Sequence, residues 1–307
     1  MNGKNILGRR NSGSGGKLFL SRMFPYLLIA PVTIYILAVL VGPLLYGVYM
    51  SFTDKVIGRD AEFIGLGNYI DLLRDTEFVQ SIGNTFKYTF VTVVLKVVIG
   101  VGIALLLNSK IRFVNLARGL ILIPWAVPTV VSVITWKWMY SDVGGVLNAI
   151  FRFLGVARRG IAWLSTPFMA FLSIVIVNVW RGAPFIGISV LTGLQAVPSD
   201  IYESAKIDGA NAWDSFIHIT IPSIADVLML STLVTTIWTF NDFELIWLLT
   251  KGGPINSTQV MATYSYTTAI QKMSTGKAMA AAIIFTPLLI LLINAVTSKT
   301  LGKEERR

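Results

Sequence analysis

From Met23 to Thr53 the chain carries no charged side chain. That run exceeds the roughly 20 apolar residues a helix needs to cross the hydrocarbon core of a membrane. Backbone in lipid must satisfy its own hydrogen bonds, so such a segment is expected to be helical. It is also far longer than the 7–15-residue core of a cleaved signal, and no small-residue cleavage site closes it, which predicts retention as an anchor.

Five further runs follow the same logic. Phe86 to Asn108 is interrupted only by Lys87 and Lys96, and Gly119 to Trp136 is uncharged. Pro167 to Leu191 holds Arg181 alone, whereas Ile224 to Leu248 has Asp226, Asp242 and Glu244 toward its ends. Ala278 to Ser298 completes the set. The predicted fold class is an all-α membrane protein with six transmembrane helices over residues 23–298. A flexible tail at 1–22, Gly/Ser-rich in its second half, precedes them, and a short tail at 299–307 follows.

Composition agrees: 54% of the 307 residues are hydrophobic and 14% charged, against about 25% charged in soluble domains. The absence of cysteine removes disulfides, thiolate metal sites and a cysteine nucleophile. The single histidine, His218, leaves no ligand set for a transition metal, so no metal site is expected. The net charge of +10 falls mostly in the gaps between apolar runs, a topological pattern rather than a nucleic-acid surface.

Those gaps predict orientation, since lysine and arginine collect in cytoplasmic flanks. Lys4, Arg9, Arg10, Lys17 and Arg22 precede the first span with no acid, whereas Asp54 to Thr85 holds six acids against three bases. Lys110, Arg112 and Arg118 follow span two, and Lys299, Lys303, Arg306 and Arg307 close the chain. Both termini are therefore expected in the cytoplasm. Arg152, Arg158 and Arg159 run against the pattern.

Between spans four and five lies LQAVPSDIYESAKIDGANAWDSFIHITIP, Leu194 to Pro222. Pro198 interrupts, and Ser199 or Asp200 is placed to cap a short helix, with Glu203 three residues after Asp200. Gly209 is expected to end that helix in a left-handed conformation. Asn211 is placed to cap a second, ahead of Pro222. The result is a compact elbow rather than a loose linker, with Ile201, Ala205 and Phe216 available to a partner or to the bundle itself.

This elbow resembles the EAA-type cytoplasmic loop of binding-protein-dependent ABC importers: Glu203-Ser204-Ala205, Asp208-Gly209-Ala210, then Phe216 and Pro222. Serine stands where the loop's first alanine would be. The likeness extends over about residues 20 to 300 and is similar to carbohydrate-uptake permeases of the maltose and glycerol-phosphate type. It takes in Pro25 to Phe52, Phe63-Ile64-Gly65-Leu66-Gly67-Asn68-Tyr69, Asn84-Thr85, Leu122-Ile123-Pro124 and Leu249-Thr250-Lys251-Gly252-Gly253-Pro254.

The resemblance implies the type I ABC importer permease fold, with the loop at 193–222 acting as a cytoplasmic coupling helix seated in a groove of an ATPase subunit. It further implies a second permease subunit, two ATPase subunits and an extracytoplasmic substrate-binding protein, in a bacterial-type inner membrane. This chain has no phosphate-loop motif: Gly15-Gly16-Lys17 lacks both the leading glycine and the following Ser/Thr. No cofactor is therefore expected on it, and no catalytic residues; ATP and magnesium belong to the partner ATPases.

Polar groups inside a membrane are functional candidates. By the resemblance, Asn178, Arg181, Gly182, Phe185, Thr235 and Thr239 fall where the maltose-type subunit lines its sugar site. Asparagine and threonine equally serve as glue between helices. Arg181 is suited to an anionic group on an acidic sugar, to a carboxylate such as one in the partner subunit, or to snorkelling toward an interface. Lys96 would cost about 2.5–3.5 kcal/mol at the bilayer centre, so it is expected to face the bundle interior or a wet cavity. The competing reading is an ion-gradient-driven carrier, which would need titratable residues near the midplane and often inverted repeats. No repeat is visible, and no acid is expected beside Lys96 and Arg181.

Overall fold

The computed structural model describes the backbone of residues 14–109, 112–156 and 159–304, and the side chains of 23–109, 112–156 and 159–298. Lys4, Arg9, Arg10, Lys110, Arg158, Arg306 and Arg307, which contribute to the orientation reading, lie outside the described residues. Among those described no β-strand forms, only two isolated bridges.

The chain divides into two compact units at Met50. The first holds α1 (Ser14–Ile36), a wider π-helical turn at Leu37–Val41 and nearly all of α2 (Gly42–Ser51). Helix α1 starts within the segment expected to be a tail. Together these elements provide one candidate span, Met23–Ser51.

In the second unit α3 (Gly67–Arg74) leads into α4 (Thr76–Asn108), the second span. Asp75 sets the start of α4 by accepting hydrogen bonds from the Glu77 and Phe78 amides, which satisfies two otherwise unpaired N–H groups. The third predicted span is not one straight helix. It comprises α5 (Val114–Ala126) and α6 (Thr129–Met139), bent by 91°. Pro128 has no amide hydrogen to continue the helix and holds Val127 extended. Among the described residues five helices are thus long enough to cross a membrane, and six spans result if the bent pair counts as one.

After α7 (Val146–Phe153), α8 (Pro167–Gln195) is the fourth span. Thr166 caps it and Pro167 occupies its first turn. Helices α4 and α8 form the principal pair of the unit. Their backbones come close: a Cβ on Gly100 would stand 2.7 Å from the Ile186 side chain, and one on Gly187 2.7 Å from Ile103. Buried Ala104, Leu107, Ile186, Val190, Leu194 and Ile224 fill the seam with α11 (Ile221–Phe240).

Between α8 and α11 lie α9 (Ser199–Ile207), α10 (Ala212–Ser215) and a π-helical turn at Phe216–Thr220. The fifth span ends at Phe240, earlier than the expected Leu248, and a short α12 (Glu244–Leu249) follows the break. Then come α13 (Met261–Ile270), α14 (Thr275–Ile283) and α15 (Thr286–Glu304), with Thr275–Ser298 as the last candidate span.

The start of α4 is clamped to these late elements. Asp75 takes hydrogen bonds from Tyr264 (2.7 Å) and Lys277 (2.9 Å), and Glu77 pairs with Lys272 (2.6 Å). Burial would raise the Asp75 carboxyl, but its hydrogen bonds from Lys277, Tyr264 and the Phe78 amide outweigh that and hold it at about 2.

Candidate functional site

The middle of α4, the middle of α8 and the last two turns of α11 enclose a cavity of about 240 Å³. All six residues singled out as sugar-site candidates line it: Asn178, Arg181, Gly182 and Phe185 from α8, Thr235 and Thr239 from α11. The α8 and α11 groups lie 50 or more positions apart in sequence yet meet here, because α4, α8 and α11 pack together as neighbours. Lys96, Trp125, Thr129, Trp238, Asp242 and Glu244 complete the lining.

Lys96 is 4% exposed, and its Nζ donates to Thr239 Oγ1 (2.9 Å) and Thr235 Oγ1 (3.4 Å). The expectation of an interior-facing lysine is met. Gly182 makes room for it: a Cβ there would collide with Lys96 Cε and lie 2.8 Å from Nζ. Gly182 therefore acts on the cavity through the lysine that crosses over it. Arg181 lines the same space, with its Nε buried and without a hydrogen-bond partner.

Asp242 requires a correction to the sequence reading, which put no acid beside Lys96 and Arg181. Its Oδ2 accepts from Tyr88 Oη (3.0 Å) and Asn178 Nδ2 (2.5 Å), and its Oδ1 from the Leu245 amide (3.3 Å). Because α11 stops at Phe240, Asp242 turns back into the cavity instead of continuing along a helix toward the interface.

An aromatic wall faces these polar groups. Phe185 lies 5.1 Å from Trp238 and is stacked at 6.2 Å on Trp125. Apolar ring faces beside hydroxyls, an amide and ammonium donors suit a ligand that is apolar on one face and rich in hydroxyls at its edge. Trp125 and Trp238 were missed in sequence as candidates. Their one signal is their spacing: Trp238 lies three residues after Thr235, on the same helical face.

The elbow forms in part as expected: the second short helix is not separate but runs through the π-helical turn into α11 as one candidate span, Ala212–Phe240. Helix α9 ends at Ile207, and Gly209 adopts φ +87°. Asn211 closes a capping box with Asp214. The Ser199 or Asp200 cap does not form: Pro198 is the N-cap, α9 has no side-chain cap, and the Ser199 hydroxyl instead meets Asp200. Pro222 sits in the first turn of α11. Glu203, Ser204, Asp208 and Gly209 are exposed, whereas Ala205, Ala210 and Phe216 are half-buried. A hydrogen bond between the Tyr202 and Thr220 hydroxyls (3.1 Å) fixes α9 to the start of α11. A Cβ on Gly209 would meet nothing within 4 Å, so within this chain its requirement is the left-handed backbone alone.

A bundle of apolar helices around a small polar cavity, with an exposed elbow between two spans, defines a multi-pass membrane permease. The chain belongs to the family described as the binding-protein-dependent transport system inner membrane component, which matches residues 96–298. It is 38% identical to the trehalose/maltose transport system permease protein MalF of Thermococcus litoralis, over 76% of this chain and 79% of that protein. It is 32% identical to the sulfoquinovosyl glycerol transport system permease protein SmoG of Agrobacterium fabrum, over 86% and 85%. Among solved structures, a chain of a bacterial ABC transporter involved in the import of the acidic polysaccharide alginate shares the fold. Its TM-score is 0.80 at 21% identity, covering 93% of this chain and 99% of that one.

Proposed function

We propose that this chain is the membrane-spanning subunit of an ATP-driven importer, and that a saccharide crosses through the cavity between α4, α8 and α11. The observation that carries the reading is the convergence of Asn178, Arg181, Gly182, Phe185, Thr235 and Thr239 on one cavity. Relatives named for trehalose, maltose and sulfoquinovosyl glycerol support a saccharide as the cargo.

Glu203, Ser204, Ala205, Asp208, Gly209, Ala210, Phe216 and Pro222 form the coupling elbow. It lies on the cytoplasmic side, as do both termini, and docks into a groove of an ATPase subunit. Its exposed residues, tied rigidly to α11 through Tyr202 and Thr220, suit transmission of a pull from that subunit. ATP and magnesium act on two ATPase partners; a second permease subunit and an extracytoplasmic binding protein complete the assembly.

Extraction of the tagged chain in mild detergent tests this reading. Copurification of an ATPase subunit and a second permease, with ATP hydrolysis in the preparation, is expected. A chain that stays alone in several mild detergents, with no hydrolysis, contradicts it.

A further inference from the structure

Helix α7 packs one face on the bundle and leaves another bare. Buried Asn148 fixes it in place. Its Oδ1 accepts from the Ile161 amide (2.9 Å) and the Trp163 indole (3.2 Å), and its Nδ2 donates to the Ile161 carbonyl (3.1 Å). Phe151 stacks on Trp163 at 5.7 Å. By contrast Ile150, Phe153 and Leu154, three and four positions apart and so on one side of the helix, are 46%, 90% and 62% exposed. Val156, just beyond, is 68% exposed. A helix pinned this way cannot roll to hide the stripe, and an exposed apolar stripe marks an interaction surface.

The level of α7 follows from α8. The Trp163 carbonyl accepts from the Ser173 hydroxyl (3.1 Å), in the second turn of α8. Helix α8 has 29 residues, about 43 Å at 1.5 Å per residue, against a hydrocarbon core of about 30 Å. Its first turn therefore reaches the headgroup layer, and Phe168 there is exposed. Helix α7 precedes this span and the elbow follows it, so the two lie at opposite faces of the membrane.

Charge completes the pattern. Arg152 stands off the apolar stripe, one residue before Phe153, and Arg159 follows the helix. Both are exposed, and neither forms an ion pair among the described residues. A phosphate supplies the bidentate anionic acceptor that a guanidinium takes, and a long side chain can reach it from beside an apolar face.

We propose that α7 is an interfacial anchor. Ile150, Phe153, Leu154 and Val156 sink into the edge of the acyl layer, while Arg152 and Arg159 hold phosphates of the phospholipids in the leaflet away from the elbow. Through Asn148 and Trp163 this contact ties the start of α8 to the membrane surface. It also accounts for arginines that stand against the usual cytoplasmic placement.

Nitroxide labelling tests it. The chain has no cysteine, so Phe153→Cys and, separately, Arg152→Cys each take one label at an exposed position; Leu154→Cys replaces the first if that variant fails to insert. The labelled chain, in complex with cysteine-free forms of the subunits that copurify with it, is reconstituted in vesicles of phosphatidylethanolamine and phosphatidylglycerol. Collisions with molecular oxygen, which concentrates among acyl chains, are compared with collisions with a water-soluble nickel chelate.

The label at 153 is expected about 5–10 Å into the headgroup–acyl boundary, open to oxygen and closed to nickel, whereas the label at 152 is open to nickel. Equal nickel access at both positions means that water covers the stripe, and overturns the proposal. An immobilised label at 153, closed to oxygen and nickel alike, means that a protein covers it, and overturns the proposal equally. With Arg152→Gln and Arg159→Gln added, the label at 153 is expected to shift toward nickel access; no shift overturns the assignment of phosphates to the two arginines.

Discussion

Single side chains decide how firmly the bundle is pinned and how its cavity is shaped. Asp75 caps α4 and binds Lys277 and Tyr264, so Asp75→Asn should cost about 1–3 kcal/mol, read as a lower melting temperature in detergent. Its carboxyl is held at about 2, below the ordinary 3.8. A depressed folded-state value gives stability that is complete above 3.8 and fades as pH falls through about 2. Melting temperatures of wild type and variant should therefore differ by the same amount from pH 8 to pH 5 and converge below pH 3.8. At Gly182, a leucine should destabilise by about 1–3 kcal/mol through overpacking and abolish uptake. Made on a Lys96→Ala background, the same change should be much milder, because its clash partner is gone. The polar half of the cavity was legible in sequence, since asparagine, arginine and threonine inside apolar runs stand out. Asp242 was not: its distance from the cavity depends on where α11 stops, and the only sign of that end is its C-cap, Asn241, a weak signal beside the apolar run that continues through Leu248.

Helices were read more securely than their ends. Long apolar runs gave five spans because hydrophobic length is nearly sufficient to specify a membrane helix. The 91° bend between α5 and α6 escaped, although Pro128 was in view, because proline inside a membrane helix is compatible with a modest kink as well as a break. In the elbow, Gly209 and Asn211 were readable from their chemistry, whereas Pro198 displaced Ser199 and Asp200 from the cap they were expected to make. The Asn211–Asp214 capping box yields an element-scale expectation. Asn211→Ala should cost α10 about 1 kcal/mol, seen as roughly fivefold faster amide exchange in residues 212–215, with α4 and α8 unaffected. Unchanged exchange would mean that the turn is held by packing rather than by its cap.

Across the whole molecule, the elbow and the cavity occupy opposite ends of α11. Thr235 lies 14 residues beyond the start of that helix at Ile221, about 20 Å at 1.5 Å per residue. A rigid helix attached to the elbow by Tyr202–Thr220 and carrying Thr235, Thr239 and Trp238 into the cavity can convert a pull at one end into a change of access at the other. Variants at the two ends should therefore separate: cavity changes alter KM for the saccharide, and elbow changes alter its coupling to ATP. The most direct measurement is ATP-driven saccharide uptake into proteoliposomes by the assembled complex, with wild-type or Gly209→Val chain. The valine is strained at φ +87°, yet Gly209 lies outside the packed bundle, so insertion is retained. Accumulation that requires ATP in the wild type and is lost in Gly209→Val is the expected result. Wild-type uptake in the variant, or uptake driven by an ion gradient without ATP, would contradict the account.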